Sequence, residues 1–379
     1  MSVDLGPLAA RVPAALRAIA AYHVPQPPEL RAKLDANELP YGMPAELRAR
    51  LGAVLADVPI ERYPDPAARE LRAVVAAQLG VSGDQLTFGN GSDELIALLC
   101  SAFEGGVLYP VPSFVYYRLA AVARGVAHVE VPLYGTAPPF GDAARSGQAR
   151  PVEREFELDE AAMIRAIETH RPGVVFLALP NNPTGTLWRM EFALELAARF
   201  RDVAIVSDEA YLAYSGRTLL AELGAHPNLL VMRTLSKLGM AGLRVGYSIA
   251  SPAIAALLER VRPPYNVSAL DQAAAVFLLR EASAWCAARA ADVVVERGRL
   301  AAALAALPGI EVFPSAANLV LIRFAGAAVA HKMLADRGIS VRSFAAGPGP
   351  LVNCLRVTVG TPEQNSELVG ALAEWGRLP

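Results

Sequence analysis

Three short polar motifs, each directly after an apolar run, are the residues of this chain best suited to chemistry. They are Asn181-Asn-Pro-Thr-Gly185, Asp208-Glu-Ala-Tyr211 and Thr234-Leu-Ser-Lys237. Apolar runs of this kind are typical of buried parallel strands, and ligands bind beyond the carboxyl ends of such strands. An amide, a carboxylate, a phenol and an amine could therefore converge on one crevice. Taken singly, each motif is equally explained as a turn, a helix cap or a solvated lysine.

Lys237 stands out because the chain contains so few lysines. Only Lys33, Lys237 and Lys332 occur among 35 basic residues, so positive surface charge is almost always supplied by arginine. Arginine cannot form a Schiff base because its guanidinium stays protonated, whereas the amine of lysine can. A lysine that follows a predicted strand is therefore a candidate for covalent catalysis.

A glycine-rich turn precedes these motifs. The segment Gly89-Asn-Gly-Ser-Asp-Glu94 leads into an apolar helix predicted over Leu95–Phe103. Glycines allow backbone N–H groups to approach a ligand, and a helix N-terminus favours an anion. The segment lacks the third glycine of a dinucleotide fingerprint and the Gly-Lys-Ser/Thr of a P-loop, so one phosphate fits better than a pyrophosphate. A helix cap supplied by Ser92 or Asp93 explains the segment equally well by itself.

The elements around these motifs alternate between strands and helices. Apolar runs at Val174–Leu179, Val203–Val206 and Leu229–Met232 predict buried parallel strands, and Met190–Phe200 predicts a helix. This order predicts an α/β sheet with helices on both sides. From about Ser283, Ala-rich helices followed by short strands predict a smaller α+β unit. We expect an N-terminal arm over residues 1–35, a large domain over 61–282, and a small domain formed by 36–60 and 283–379.

The composition argues against several other classes of protein. The formal charge is −2 without a basic block, which disfavours nucleic acid as a partner. No apolar run reaches the roughly 18 residues of a membrane span, so no membrane partner is expected. Cys100, Cys286 and Cys354 lie far apart, which favours reduced thiols in a cytoplasmic protein. The five histidines show no spacing typical of a zinc site, so we expect no metal.

The motifs together resemble one known family. The chain also has Lys33-Leu-Asp-Ala-Asn-Glu38, Arg62-Tyr-Pro-Asp65, Gly242-Leu-Arg-Val-Gly246 and Leu355-Arg-Val-Thr-Val-Gly360. In this order the set resembles the fold-type I enzymes that use pyridoxal 5'-phosphate (PLP), and within them the histidinol-phosphate aminotransferases. The resemblance implies a large α/β domain with a mostly parallel sheet, a smaller α+β domain and a homodimer.

The resemblance also implies which residues surround the cofactor. Lys237 would carry PLP as a Schiff base and shuttle a proton, and Asp208 would pair with the ring nitrogen. Asn182 and Tyr211 would hydrogen-bond the phenolic oxygen of the ring, and Phe114 would stack on it. The residues implied at the phosphate are Gly91, Ser92, Asp93, Ser236, Arg244 and, from the other subunit, Tyr63.

The implied substrates are an amino donor and a 2-oxo acid acceptor. Here the amino group would move between glutamate/2-oxoglutarate and imidazole-acetol phosphate, producing histidinol phosphate. Arg356 would bind the anionic group of the substrate, assisted by Arg342 and Tyr22. Arg342 is equally well explained as an exposed strand residue. An aromatic amino-acid aminotransferase and a decarboxylase like threonine-phosphate decarboxylase remain alternatives on the same scaffold. A non-catalytic PLP-binding protein is disfavoured, because Lys237 is present.

One segment departs from the resemblance. Members of the family pass almost directly from the strand at Val131–Leu133 to the segment Phe156–Asp159, whereas this chain inserts residues 134–155. The insertion is rich in Gly, Pro, Ala and Arg, which predicts an exposed loop. It is either inert or able to cover the site and alter substrate choice.

Overall fold

The computed structural model describes residues 6–17, 29–135, 155–347 and 349–376. The strands are β1 (Ala32–Leu34), β2 (Leu86–Asn90), β3 (Val107–Val111), β4 (His128–Pro132), β5 (Val174–Ala178), β6 (Ala204–Asp208), β7 (Leu229–Thr234), β8 (Val245–Ile249), β9 (Glu311–Val312), β10 (Leu319–Arg323), β11 (Ile339–Ser343) and β12 (Cys354–Thr358). The helices are α1 (Ala14–Arg17), α2 (Ala45–Ala56), α3 (Arg69–Leu79), α4 (Gly91–Ala102), α5 (Tyr116–Arg124), α6 (Glu160–His170), α7 (Glu191–Arg199), α8 (Leu212–Ser215), α9 (Pro252–Val261), α10 (Ala269–Glu281), α11 (Ser283–Ala305), α12 (Ala327–Asp336) and α13 (Pro362–Trp375).

The first sheet has seven strands in the order β2-β8-β7-β6-β5-β3-β4. The pairs from β7 through β6, β5 and β3 to β4 are parallel, and β8 is antiparallel to both of its neighbours. The predicted, mostly parallel α/β sheet is confirmed. Because β5, β6 and β7 are adjacent and parallel, their carboxyl ends lie side by side at one edge of the sheet.

Side chains on successive strand residues pack into two different cores, one on each face of this sheet. In β5, Val175 and Leu177 belong to one core, while Val174 and Phe176 belong to the other. The first core includes residues of α6 and α7, and the second includes residues of α4 and α5. A strand buried on both faces must be apolar at every position, which explains the uninterrupted run Val174–Ala178.

The second sheet has five strands in the order β1-β11-β12-β10-β9. It is antiparallel except for the parallel pair β1 and β11. A third core joins it to α11, α12 and α13 and also takes in Tyr211 and Tyr214, which follow β6 of the first sheet. The two sheets therefore share buried contacts at the place where β6 ends.

Two segments near the predicted domain boundaries pack against elements that the prediction assigns to a different domain. β1, at the end of the predicted N-terminal arm, pairs with β11 of the second sheet. α2, predicted within the small domain, lies against α10, and Arg50 donates a hydrogen bond to Glu281 at 2.6 Å. The division into arm, large domain and small domain stays a prediction.

Candidate active site

A cavity of about 220 Å3 lies at the carboxyl ends of β5, β6 and β7 and is lined by residues of both sheets. The lining residues are Asp35, Ala36, Asn37, Ser92, Asp93, Phe114, Ala178, Pro180, Asn182, Asp208, Ala210, Tyr211, Thr234, Ser236, Lys237, Arg244, Arg342 and Arg356. The three polar motifs and the glycine-rich turn that the sequence singles out thus meet at one place.

Lys237 is the one lysine of the three that lines this cavity. Its Nζ donates a hydrogen bond to the carbonyl oxygen of Ala36 at 3.1 Å. Burial, followed by the nearby charge of Arg356, lowers the pKa of Lys237 to about 8. By contrast, Lys33 pairs with Glu38 at 2.8 Å and Lys332 is exposed on α12. The cavity therefore holds a buried amine that is partly neutral near neutral pH, which is the form that attacks carbonyl carbons.

Asp208 is the last residue of β6, and its carboxylate is buried. Oδ2 accepts a hydrogen bond from the Tyr117 hydroxyl at 2.7 Å, and Oδ1 accepts one from the backbone N–H of Ala210 at 3.2 Å. Burial raises the pKa of Asp208 to about 6, although both hydrogen bonds favour the ionised form. Within the described residues Asp208 has no ion-pair partner. A protonated ring nitrogen beside it would stabilise the carboxylate.

The glycine-rich turn forms a cradle around the guanidinium of Arg244. Gly91 begins α4 with φ of +74°, and a Cβ there would lie 2.5 Å from Nη2 of Arg244. A Cβ on Gly246 would lie 2.7 Å from the backbone nitrogen of Ser92. Arg244 donates to Asp93 at 3.0 Å and to Ser236 at 3.4 Å. Close backbone N–H groups, a helix N-terminus and a cation together suit a phosphate.

Two arginines from the second sheet complete the cavity. Arg342 of β11 and Arg356 of β12 are paired across the strands. Arg356 is 9% exposed and donates to Asn182 Oδ1 at 2.6 Å and to the carbonyl oxygen of Asp35. Like charges opposite each other on neighbouring strands repel. An anion in the cavity would relieve that repulsion, which suits the substrate-binding role predicted for both residues.

Three buried side chains near Tyr211 and Asp208 escape the sequence-based prediction. Tyr117, on α5, holds Asp208 and stacks on Phe176 with 4.7 Å between ring centroids. Asn37 donates from Nδ2 to the hydroxyl of Tyr211 at 2.8 Å, and Thr358 of β12 in turn contacts Asn37. Asn37 and Thr358 belong to motifs that the sequence singles out, but nothing in the spacing along the chain indicates these long-range contacts.

A buried ion pair lies directly next to the site in sequence. Glu209, which follows Asp208, accepts hydrogen bonds at Oε2 from Nε and Nη2 of Arg233 at 3.1 and 3.0 Å. Thr218 and the backbone of Leu219 donate to the same carboxylate. The side chains of Glu209 and Arg233 are 0% and 7% exposed. The pair joins the ends of β6 and β7, which carry Asp208 and the Lys237 motif.

The remaining predicted residues have different positions. Phe114 lines the cavity and meets the Tyr117 ring edge-on at 5.7 Å. Tyr63 does not line the cavity, is 82% exposed, and stacks on Tyr265 at 4.6 Å. Tyr22 and most of the insertion lie outside the described residues. At the ends of the insertion, Tyr134 and Phe156 are joined by a backbone hydrogen bond of 2.9 Å.

Within the described ranges, no cluster of three His, Cys, Asp or Glu side chains could hold a metal ion. No helix in the same part of the chain is long and apolar enough to cross a membrane. The three cysteines are free thiols and all are buried.

Comparison with known proteins gives one family for almost the whole chain. Residues 32–372 match the family described as aminotransferase class I and II. A histidinol-phosphate aminotransferase of Methylibium petroleiphilum is 42% identical over 354 residues, covering 92% of this chain and 90% of that protein. A protein of the same name from an Acidovorax strain is 41% identical, covering 97% of each chain.

Solved structures show the same fold. The histidinol-phosphate aminotransferase of Sinorhizobium meliloti, solved in complex with pyridoxal 5'-phosphate, has a TM-score of 0.78 and 23% identity and covers 97% of this chain and 98% of its own. The L-threonine-O-3-phosphate decarboxylase of Porphyromonas gingivalis has a TM-score of 0.73 and 22% identity, covering 91% of this chain and 99% of its own. Aminotransfer and decarboxylation are thus both found on this scaffold.

Proposed function

The chain belongs to the class I and II aminotransferases, and we propose that it transfers an amino group between glutamate and imidazole-acetol phosphate, giving histidinol phosphate, with pyridoxal 5'-phosphate as its cofactor. The relatives at 41–42% identity support this substrate pair. The observation that carries the proposal is the meeting of a buried amine, a buried carboxyl, the glycine-rich turn with Arg244, and two further arginines in one cavity. A cytoplasmic location belongs to the same proposal and is supported by the three free, buried cysteines.

Three features of the cavity fit the cofactor. The buried carboxyl of Asp208 suits a protonated ring nitrogen, the cradle at Gly91 and Arg244 suits a phosphate, and the amine of Lys237 suits an aldehyde. When bound, the cofactor supplies a ring that accepts electrons from the Cα–H bond of the substrate. The backbone N–H groups of Ser92 and Asp93 and the hydroxyl of Ser236 would complete the phosphate site.

The residues of the chain have distinct tasks in this scheme. Lys237 Nζ would hold the cofactor, and once released it would take the Cα proton and deliver it to the former aldehyde carbon of the cofactor, on the other side of the transferred nitrogen. The Asp208 carboxylate keeps the ring nitrogen protonated, which requires that the carboxyl itself be ionised. Asn182 and Tyr211 hydrogen-bond the phenolic oxygen of the ring, and Phe114 packs against its face. Asn182 also receives a hydrogen bond from Arg356 at 2.6 Å, which connects cofactor and substrate sites.

Arg356 and Arg342 give the cavity a means of binding two unlike substrates. Glutamate offers carboxylates, whereas histidinol phosphate offers a phosphate ester and an imidazole. A guanidinium presents a planar fork of N–H groups that matches carboxylate and phosphate alike. Because β12 holds Arg356 in a five-residue strand paired on both sides, the fork is fixed relative to Lys237.

A homodimer is part of the proposal. Tyr63 and Tyr265 stack on each other and are 82% and 42% exposed, and Ile60, three positions before Tyr63 in the chain, is 76% exposed. Exposed large apolar surface is typical of a face that another protein covers. A second copy of the chain would cover them. In that arrangement Tyr63 would reach the phosphate of the other subunit.

The function is tested by separate half-reactions on the purified holoenzyme. Histidinol phosphate alone and glutamate alone should each discharge the visible absorbance of bound PLP, with imidazole-acetol phosphate and 2-oxoglutarate as products. Phenylalanine and threonine phosphate serve as comparison substrates, with release of CO2 measured for the latter. Faster conversion of phenylalanine would assign the enzyme to aromatic amino acids, and stoichiometric CO2 from threonine phosphate would assign it to the decarboxylases.

A further inference from the structure

A buried row of three side chains connects the second sheet to the phenol of Tyr211. Thr358 lies on β12, Asn37 lies in the segment after β1, and Tyr211 follows β6. They are 1%, 1% and 4% exposed, so water does not compete for their hydrogen bonds. We call these three residues the Tyr211 relay.

The direction of the hydrogen bonds in the relay follows from one donor whose identity is certain. The backbone N–H of Asn37 donates to Oγ1 of Thr358 at 2.9 Å, so this hydroxyl acts as an acceptor there. Its own proton is directed to Oδ1 of Asn37 at 3.2 Å. An amide whose oxygen is engaged in this way turns its NH2 to the other side. Nδ2 of Asn37 accordingly donates to the hydroxyl of Tyr211 at 2.8 Å.

This direction decides what Tyr211 can do in the cavity. A phenol carries one proton, and its oxygen accepts through its lone pairs. Because the oxygen of Tyr211 already accepts from Asn37, its proton is available to an acceptor inside the cavity. Burial raises the pKa of Tyr211, while Arg356 and the Asn37 hydrogen bond oppose that rise. Tyr211 therefore stays protonated and presents a donor.

Asparagine meets two separate requirements at position 37. Its φ is +54°, a left-handed conformation that asparagine tolerates better than most residues with a side chain. Its side chain must also accept from Thr358 and donate to Tyr211 at once, which an amide does and a carboxylate does not. An aspartate would accept the phenol proton and withdraw it from the cavity.

We propose that Asn37 and Thr358 are positioning residues that hold Tyr211 as a hydrogen-bond donor to the phenolic oxygen of PLP. The proposal rests on the proposed function, because it takes that oxygen as the acceptor. Since Thr358 is two residues from Arg356 on β12, the relay also ties the orientation of Tyr211 to the strand that binds the substrate anion.

The test is a pH titration of the visible absorbance of the substrate-free holoenzyme. A donor to the phenolic oxygen favours the deprotonated chromophore, so its loss raises the apparent pKa of the bound cofactor. We expect Tyr211→Phe to raise that pKa by roughly one unit, and Asn37→Gly, which keeps the left-handed φ accessible, to raise it by less. In the double variant, Asn37→Gly should add no shift to that of Tyr211→Phe, because it acts through the lost hydroxyl.

A second pair of variants tests the relay from its far end. Thr358→Val replaces the hydroxyl with a methyl group of similar size and should shift the cofactor pKa in the same direction as Asn37→Gly. Thr358→Ser keeps the hydroxyl and should titrate like the wild type. If Asn37→Gly yields no folded holoenzyme, the two Thr358 variants still test whether the relay sets the pKa of the bound cofactor.

The outcomes separate this inference from the proposed function. Additive shifts in the double variant, or equal titrations of Thr358→Val and Thr358→Ser, would overturn the relay while leaving the enzyme an aminotransferase. A protein that binds PLP and titrates as expected but does not convert histidinol phosphate would overturn only the substrate. A protein without a visible absorbance band would overturn the cofactor assignment itself.

Discussion

At the scale of single residues, the amine of Lys237 is the group whose ionisation controls capture of the cofactor. Only the neutral amine attacks an aldehyde, and burial together with Arg356 lowers the pKa of Lys237 to about 8. The rate of PLP capture by the apoprotein should therefore rise with pH through about 8 and level off by about pH 9. Stopped-flow absorbance over this range measures the rate of capture, and a rate independent of pH would contradict the assignment.

After borohydride reduction, the PLP adduct should be found on Lys237 and absent from Lys33 and Lys332.

Arg356 is the residue on which binding of both substrates should depend. Removing a charge-assisted, two-pronged contact costs roughly 2–4 kcal/mol in kcat/KM, or about thirty- to a thousandfold. We expect Arg356→Ala to lower kcat/KM of both half-reactions by that factor while PLP stays bound. Arg356→Lys should recover only part of the lost kcat/KM. Stopped-flow traces with glutamate and with histidinol phosphate measure each half-reaction. A defect confined to one donor would show that the two anions use different arginines, and Arg342→Ala is the variant to compare.

Individual residues show how far the sequence predicts the site. Lys237 and Asp208 could be located because the motif of each lies at the end of an apolar run that forms a strand of the parallel sheet. Tyr117 and Asn37 could not be given roles, because their partners are 91 and 174 positions away along the chain. A motif can contain several tyrosines or asparagines, and packing between elements decides which of them faces a cavity. The spacing of residues along the chain carries no information about that packing.

At the scale of elements, the ion pair between Glu209 and Arg233 fixes the ends of β6 and β7 relative to each other. Losing one partner of a buried pair leaves an uncompensated charge and costs about 3–5 kcal/mol. We expect Glu209→Ala to lower the free energy of unfolding of the apoprotein by that order, measured by urea titration. Asp336→Ala, which breaks the exposed pair with Lys332 at 2.7 Å, is the matched control and should leave stability nearly unchanged. Equal effects of the two variants would contradict a special role for the buried pair.

The ends of the insertion predict that it can be removed. A Cβ on Gly135 would lie 3.3 Å from Cα of Glu155, so the chain enters and leaves this segment at almost the same point. Replacing residues 136–154 with a two-residue turn should therefore preserve folding and PLP binding, followed by thermal melting and by the visible absorbance. Loss of folding would mean that the segment stabilises the rest. A changed ratio of half-reaction rates without loss of folding would instead assign it to substrate choice.

Element types were easier to predict from sequence than element partners. Apolar runs indicated β5, β6 and β7 because strands buried on both faces leave a continuous signal. The antiparallel placement of β8 between β2 and β7 and the pairing of β1 with β11 were not predicted. Those partners are chosen by packing between distant segments, and a three-residue strand such as Ala32–Leu34 carries too few residues to show a period.

At the scale of the whole molecule, we expect two copies of the chain to associate through the surface that carries Ile60, Tyr63 and Tyr265. Sedimentation velocity should give twice the mass of the chain. Ile60→Asp places a charge on that surface and should shift the protein toward monomers, because burying an unpaired carboxylate is unfavourable. Val329→Asp, at a position on α12 that is 66% exposed, is the matched control and should leave the mass unchanged. A fully active wild-type monomer would rule out the dimer and the contribution of Tyr63 across it.

The division of the cavity between two sheets has a consequence for how such an enzyme changes over evolutionary time. The proposed cofactor residues Asn182, Asp208 and Lys237 follow strands of the first sheet, whereas Arg342 and Arg356 belong to the second. These two groups are encoded by separate stretches of the gene. Mutations in the C-terminal stretch can therefore alter which anion is accepted while the inherited chemistry stays intact, and a duplicated copy of the gene can acquire a new substrate without first losing its catalyst.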